Sequence, residues 1–149
     1  MGKATTGYYN KKKAWSIAKD NLLKHYLNAY MSKLFHTNRA IVYLDCFAGA
    51  GKFGLPNSAY EEKEDGSPLI ALNAIQNAYN NSKASNREYF ACFNEPIYHK
   101  DLITNLQHSQ HPINRYRIYN QNYPEVLETI LGDIQDAYIN PNLFCYLDP

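Results

Sequence analysis

An acid followed at short spacing by two glycines is the clearest chemical signal in this sequence. Residues 41–54 read Ile-Val-Tyr-Leu-Asp-Cys-Phe-Ala-Gly-Ala-Gly-Lys-Phe-Gly, so that Asp45 precedes Gly49 and Gly51. The apolar run before the acid is typical of a buried parallel strand. Glycine lets the backbone turn sharply and approach a ligand closely. The segment therefore predicts a strand that ends in a ligand-binding turn.

Three classes of ligand use a strand followed by a glycine-rich turn, and the first of them, a phosphate, fits poorly here. A phosphate-binding loop requires the pattern G-x-x-x-x-G-K-[ST]. Cys46 stands at the position of the first glycine, and Phe53 follows Lys52 where the pattern needs a hydroxyl. The turn therefore lacks the side chain that such a loop offers to magnesium.

The other two ligand classes are dinucleotides and S-adenosylmethionine. The dinucleotide pattern G-x-G-x-x-G matches Gly49, Gly51 and Gly54, but it requires a helix to open at the glycines, and Pro56 opposes that helix. In S-adenosylmethionine sites an acid ends the first strand just before a G-x-G turn, as Asp45 does. The residues predicted to bind this cofactor are Asp45, Phe47, Ala48, Gly49, Ala50 and Gly51.

The segment 45–51, with Trp15, Ser16 and Lys19 before it and Gly66-Ser67-Pro68 after it, resembles the three-Cys-motif partner protein (TcmP) family. The resemblance extends over nearly the whole chain, and the turn is also similar to that of large-ribosomal-RNA adenine methyltransferases. It implies a Rossmann-like class I methyltransferase fold and S-adenosylmethionine as cofactor more firmly than it implies a substrate. The family's name refers to cysteines of a partner, so a partner protein is implied as well.

The same resemblance assigns roles to residues that follow strands. Asp45 would face the ammonium group of the cofactor, directly or through water. Glu95, after the second strand, would accept hydrogen bonds from the ribose hydroxyls, or serve as an acid at the positive end of the next helix. Asn122 would contact the adenine ring, or cap the helix that begins near Pro124.

Asp148 and Pro149 stand where amino-group methyltransferases have an acid followed by proline that holds the target nitrogen. They are the expected catalytic residues, with an amino group of a nucleic-acid base as the acceptor. A base in a duplex would first have to be flipped out. Class I methyltransferase sheets continue past the fourth strand, so we expect further strands after Pro149, or another chain, to protect that edge.

The distribution of charge also suggests a nucleic acid. The net charge is +1, yet the first 40 residues hold eight Lys or Arg against one acid, Asp20. Basic side chains that neutralise phosphates supply affinity for nucleic acid independent of sequence. A solvated, lysine-rich helix end explains the same pattern equally well. The candidate phosphate contacts are Lys11, Lys12, Lys13 and Lys19.

The elements that must position these residues follow from hydrophobic periodicity. A helix over 12–35 precedes the first strand. Its expected packing face is Trp15, Ala18, Leu22, Tyr26, Ala29 and Tyr30, widened by Leu23, Leu27 and Leu34. Strands are predicted from 41, over 87–94, over 115–119 and from 142, and further helices over 67–79 and 97–108 and from about 124. Right-handed crossovers order the sheet as third, second, first, fourth strand.

A single domain accommodates all of these elements, with a basic helical extension over 1–39 and the core over 40–149. Residues 52–66 are expected to form a surface loop, either a lid or a solvated charge run. Cys46, Cys92 and Cys145 fall in predicted strands and are expected to be reduced core thiols rather than metal ligands. With no apolar stretch of membrane-spanning length and no secretory signal, a cytoplasmic location is expected.

Two other functions remain open from the sequence. A dinucleotide-binding oxidoreductase is supported by the three glycines and by Glu95. The second is a methyltransferase-like module that binds cofactor or a partner protein without turnover.

Overall fold

The computed structural model describes residues 11–55, 57–84 and 88–149. Its helices are α1 (Ala14–Leu34), α2 (Ser67–Asn81), α3 (His99–His108) and α4 (Glu125–Ala137). Its strands are β1 (Ile41–Asp45), β2 (Lys52–Phe53), β3 (Glu64–Asp65), β4 (Tyr89–Asn94), β5 (Tyr116–Tyr119) and β6 (Asn142–Tyr146). The start of the predicted second strand, including Arg87, lies outside the described residues.

Four of the strands form one parallel sheet in the order β5-β4-β1-β6. This is the order predicted from right-handed crossovers, with the third and second strands on one side of the first and the fourth on the other. The protein is therefore mixed α/β, with an architecture compatible with a Rossmann-like fold. In the described part of the chain β6 pairs with β1 alone and lies at an edge of the sheet.

The central strand separates two apolar layers. Ile41 and Tyr43 pack with side chains of α1, α2 and α3, whereas Val42 and Leu44 pack with those of α4. All five residues of β1 are buried, which explains why its sequence is a continuous apolar run rather than an alternating one. The carboxyl end of this strand is consequently fixed from both faces of the sheet.

The predicted packing face of α1 is confirmed for Leu23 and Leu27 and wrong for Trp15 and Leu22, while the rings of Tyr26 and Tyr30 lie against Phe144 of β6. Trp15 and Tyr26 are each 53% exposed, and Leu22 is 71% exposed. The residues that enter the core are Leu23, Leu27 and Met31, followed by Phe35 just after the helix. The predicted stripe was too wide, and its Leu23 and Leu27 side is the one that packs in the core, together with Met31 one turn further along. α1 thus belongs to the same core as the sheet.

The start of the third helix also differs from the prediction. The pattern of Ile97, Leu102, Ile103 and Leu106 predicts core positions on a helix from 97, but α3 begins at His99 and Ile97 is 73% exposed. Leu102 and Leu106 of the same helix are buried as predicted. None of the helices in the described residues is both long and apolar enough to cross a membrane.

The segment 52–66 is more ordered than the surface loop that was predicted. β2 and β3 pair in antiparallel orientation, and Lys52 between the core and this hairpin is buried. Its ammonium group donates to the carbonyl oxygens of Tyr60 and Lys63 and forms an ion pair of 3.0 Å with Asp65. A buried cation therefore holds the two ends of the segment together, while the acids in its middle are exposed.

The prediction that all three cysteines are core thiols is wrong for one of them. Cys46 and Cys92 are buried, but Cys145 is exposed. Cys145 lies opposite Leu44 in the register of β6 on β1, on the side of the sheet where α4 packs. Nothing in the described residues covers that part of β6, so a side chain on this face of the edge strand remains accessible.

Candidate functional site

A cavity of about 510 Å³ opens at the carboxyl end of the parallel sheet. Its walls come from the first turns of α1, the loop after β1, the residues after β4 and the residues after β6. The chain leaves β1 toward β4 on one side and later returns to β6 on the other, so this is the point where the strand order reverses. Ligands of open α/β sheets bind at that point, in cavities of about 300 to 1,000 Å³.

The turn after β1 has the backbone that its glycines predict. Gly49 and Gly51 have φ angles of 69° and 86°, in the left-handed region that favours glycine. No helix opens at the turn, because β2 begins directly after it at Lys52. The requirement of the dinucleotide pattern for a helix at the glycines is therefore not met.

Gly51 has a second reason to lack a side chain. A Cβ atom at Gly51 would lie 3.1 Å from Cδ1 of Leu102 in α3. The Asn105 amide of the same helix donates to the carbonyl oxygen of Ala50 at 2.7 Å. The glycine turn is thus packed against α3 on one side, while Gly51 lines the cavity on the other.

Asp45 is fully buried at the base of the site, and both of its carboxylate oxygens are engaged. One accepts the N–H of Phe47 at 3.0 Å, and the other accepts the hydroxyl of Ser67 at 2.8 Å. Burial raises the pKa of Asp45 to about 7, although these two hydrogen bonds oppose the shift, and the charges of Asp148 and Glu95 add to it. Asp45 does not itself line the cavity, but Ser67 does.

The run Gly66-Ser67-Pro68 predicts the start of a helix, with Ser67 as its cap and Pro68 at the first helical position, but Ser67 has a different role in the structure. It is the first residue of α2, whose N-cap is Gly66 with no side-chain cap. Its hydroxyl instead connects the cavity to Asp45, across 22 residues of sequence. Pro68 lies in the first turn of α2 as predicted. The sequence did not predict the contact of Ser67 with Asp45, because nothing local indicates a partner so distant.

Glu95 braces the site from the end of β4. It lines the cavity and is only 7% exposed. One carboxylate oxygen accepts the N–H of Gly49 at 2.8 Å, and the other accepts those of Ile97 and Tyr98 at 2.9 and 3.1 Å. A carboxylate has about four lone-pair positions, so Glu95 can accept about one further hydrogen bond from a ligand.

Asn122, the predicted adenine contact, is exposed and does not line the cavity. Its side chain does not cap α4 either, since the N-cap is Pro124 without a side-chain cap, and only the backbone oxygen of Asn122 accepts the N–H of Val126. Asn120 lines a smaller cavity that shares its wall, including Ile97, with the main one. Asn120 and Ile97 are therefore better placed beside the site than Asn122.

The segment after β6 meets α1 across the cavity. Asp148 and Pro149 both line it, and the carboxylate of Asp148 forms an ion pair with Lys19. The Lys19 ammonium also lies 3.8 Å from the centre of the Trp15 ring. The structure thus brings the predicted catalytic pair to the same cavity as the glycine turn, with the acid occupied by a lysine. Trp15, expected to be packing surface, instead forms part of the wall.

The four candidate phosphate contacts do not form one exposed cluster. The side chain of Lys12 is 7% exposed, pairs with Asp20 at 2.7 Å and donates to the backbone oxygen of Asp65 at 2.5 Å. Its prediction as a phosphate contact is therefore wrong, because its charge is already used inside the protein. Lys19 is engaged by Asp148, and Lys11 and Lys13 are exposed.

The cavity is lined by more carboxylates than cations. Asp20, Glu95 and Asp148 lie on its wall with Lys19, and Asp45 lies beneath it. Lys12 pairs with Asp20 and Lys19 with Asp148. Glu95 and Asp45 are therefore the acids of the site that have no ion-pair partner among the described residues, and it is they that favour a ligand with positive charge. Among the described residues no group of three His, Cys, Asp or Glu side chains has the arrangement of a metal site.

Comparison with known proteins gives no relative for this chain. No family model matches it, and neither the curated proteins nor the solved structures contain a match. The assignment of a function therefore depends on the residues and geometry of the site alone.

Proposed function

We propose that the protein is an S-adenosylmethionine-dependent methyltransferase that acts on an amino group of a nucleic-acid base. The observation that most supports this is the position of the glycine turn. Gly49 and Gly51, with positive φ, follow the central strand at the carboxyl edge of the sheet, beside the cavity that also holds Glu95 and the Asp148-Pro149 pair. A cofactor site and an acceptor site are thereby adjacent.

The charge of the cavity fits this cofactor. S-adenosylmethionine carries a sulfonium and an ammonium group, and two acids of the site, Glu95 on the cavity wall and Asp45 beneath it, have no ion-pair partner among the described residues. Its amino-acid part would lie along the turn, with Ser67 between its ammonium group and Asp45. The remaining acceptor position of Glu95 would take a ribose hydroxyl. Ile97 and Asn120 would border the adenine ring in the smaller cavity.

The protein's own residues would position the acceptor and exclude water. The bound cofactor supplies an electrophilic methyl group that needs little covalent help. Asp148 would accept a hydrogen bond from the acceptor amine and orient its lone pair, with Pro149 beside it. Lys19 contacts Oδ2 of Asp148, so the acceptor amine would either take the place of Lys19 at that atom or bind Oδ1 beside it. The aromatic side chains on the cavity wall, such as Trp15, would then exclude water from the site.

The ion pair of Lys19 and Asp148 also favours a second candidate function. If the ion pair with Lys19 keeps the acceptor away from Asp148, the protein would bind the cofactor without turnover. The proposal of a dinucleotide-binding oxidoreductase has less support, since no helix opens at the glycines. A partner protein, which the resemblance to the three-Cys-motif partner protein family implies, stays a proposal as well.

Calorimetry with S-adenosylmethionine and with NAD tests the cofactor. We expect heat of binding with the first and none with the second, and a response to NAD alone would overturn the proposal. Transfer of a labelled methyl group to single-stranded oligonucleotides then separates the two candidates. Cofactor binding with transfer supports the enzyme, whereas binding without transfer to any nucleic acid supports the non-catalytic module.

A further inference from the structure

We propose that Trp15 is the stacking surface for the acceptor base, and that stacking displaces Lys19 and so frees Asp148 for the base's amino group. This inference rests on the proposed function and identifies how its acceptor is recognised. It assigns a substrate-binding role to a residue of α1, outside the glycine turn and the strand ends.

The position of Trp15 supports this role. It is the protein's single tryptophan, it lies in the first turn of α1, and it lines the cavity together with Asp148 and Pro149. More than half of its surface is exposed, although an indole ring is usually well buried. The exposed ring is thus at the acceptor end of the cavity, where a planar group can reach it.

The contacts of Lys19 link the ring to the acid. Its ammonium group lies 3.8 Å from the centre of the Trp15 ring and also pairs with Asp148. A base that stacks on the face of the ring that Lys19 covers would take the place of this cation–π contact. Lys19 would then be free to contact a phosphate, and Asp148 would be free to accept a hydrogen bond from the amino group. Recognition of the ring and exposure of the acid would therefore occur together.

The charges around Trp15 favour a nucleic acid as the source of the planar group. Lys11 and Lys13, exposed just before α1, lie outside the cavity, whereas the cavity wall is rich in carboxylates. A polyanion would contact this basic rim while the cationic cofactor occupies the acidic interior. Basic side chains next to an aromatic ring are the usual means of binding single-stranded nucleic acid. The base must accordingly be unpaired or flipped out.

The fluorescence of Trp15 provides a direct test, because no other residue contributes tryptophan emission. The protein, saturated with S-adenosylhomocysteine, is titrated with a short single-stranded DNA rich in adenine and cytosine, and with an abasic strand of equal length. We expect quenching by the first strand and little by the second. Equal quenching by the abasic strand, or quenching by an aromatic peptide in place of DNA, would overturn the inference.

Variants separate stacking from a merely structural role. Trp15→Leu should weaken binding of the base-containing strand about ten- to a hundredfold, whereas Trp15→Phe should keep most of it. Fluorescence anisotropy of a labelled strand measures this without the indole. Ile17→Ala, an exposed apolar change on the opposite side of α1, is the control and should have no effect.

Cofactor affinity distinguishes a failure of this inference from a failure of the proposed function. Trp15→Leu should reduce affinity for S-adenosylhomocysteine, measured by calorimetry, much less than it reduces affinity for the strand. If Trp15→Leu binds the strand as tightly as the wild-type protein does, or loses affinity for cofactor and strand equally, the role of Trp15 is overturned while the cofactor assignment stands. If the wild-type protein binds no S-adenosyl compound, the proposed function fails instead, whatever the strands do.

Discussion

Asp45 is completely buried, yet a cationic ligand would need its carboxylate in the charged form. Desolvation raises its pKa to about 7, and its hydrogen bonds to Ser67 and the Phe47 N–H do not offset this. In the free protein a large fraction of Asp45 is therefore neutral below neutral pH. The ammonium group of a bound cofactor, close to Asp45, would favour its ionisation.

This leads to a prediction about the pH dependence of binding. Affinity for S-adenosylmethionine should rise as the pH increases toward about 7 and then level off, because below that pH binding must first release a proton from Asp45. Calorimetry in buffers of different ionisation enthalpy measures the proton release directly. Asp45→Asn should abolish both effects, and a variant that retains them would show that another group is responsible.

The same residue predicts how stability depends on pH. Because the folded-state pKa of Asp45 is raised above its value of 3.8 in the unfolded chain, the folded state retains its proton longer. Its contribution to stability is complete below the unfolded pKa and is lost as the pH rises through the folded pKa. The free energy of unfolding of Asp45→Asn minus that of wild type, measured by urea denaturation, should be more positive at about pH 8 than at about pH 5. The opposite order would contradict an Asp45 that is neutral when buried.

Glu95 yields a prediction with a matched control. Glu95→Gln places an amide where three backbone N–H groups donate, and it removes charge-assisted hydrogen bonds to the turn and to a ribose. Cofactor binding should weaken by about 1 to 3 kcal/mol, measured by calorimetry. Glu125→Gln, a change of an exposed acid in the first turn of α4, should have no effect. Unchanged affinity in a folded Glu95 variant would remove Glu95 from the site.

At the scale of elements, local rules predicted the sheet but not the orientation of α1. The strand order followed from the handedness of the crossovers, which depends on the order of the strands along the chain and not on individual side chains. The face of α1 was predicted too wide, because Trp15, Leu22 and Tyr26 recur with the same period as Leu23 and Leu27. Only the space left by α2 decides between them. The contact between Lys12 and Asp65 was not predicted either, because the two residues are far apart in sequence.

The packing of the glycine turn on α3 gives a prediction with a control of opposite sign. Gly51→Ala should destabilise the protein by about 1 to 2 kcal/mol from its left-handed backbone, and the contact with Leu102 should add to this. Gly132→Ala, in the open middle of α4, should instead stabilise by about 0.5 to 1 kcal/mol. Chemical denaturation measures both.

A double variant separates the two causes at Gly51. Adding Leu102→Ala removes the atom that a Cβ at position 51 would meet, so the cost of Gly51→Ala should be smaller in that background than in wild type. A cost that is equal in both backgrounds would place the whole effect in the backbone. A stable Gly51→Ala protein would contradict the described geometry of the turn.

For the whole molecule, the division of charge is more informative than the net value of +1. Basic residues concentrate before β1, yet the structure uses Lys12 and Lys19 internally, in ion pairs with Asp20 and Asp148. The sequence predicted the basic segment, but it did not indicate which lysines face solvent, because ion pairs form between distant parts of the chain. A nucleic acid would therefore meet fewer available charges than the sequence suggests.

The salt dependence of nucleic-acid binding tests this division. The logarithm of affinity for single-stranded DNA should fall linearly with the logarithm of salt concentration, and its slope should flatten by about 0.7 for each phosphate that is no longer neutralised. The double change of Lys11 and Lys13 to Glu should flatten the slope, whereas Lys33→Glu, an exposed charge at the far end of α1, should leave it unchanged. Lys12 is left intact, since its replacement would break a buried ion pair and confuse folding with binding. If both variants flatten the slope equally, the attraction belongs to the basic segment as a whole and not to the rim of the cavity. If the wild-type protein binds no DNA even at low salt, a protein acceptor becomes the better hypothesis, because the acidic interior would still suit the cofactor while the basic rim would have no polyanion to bind.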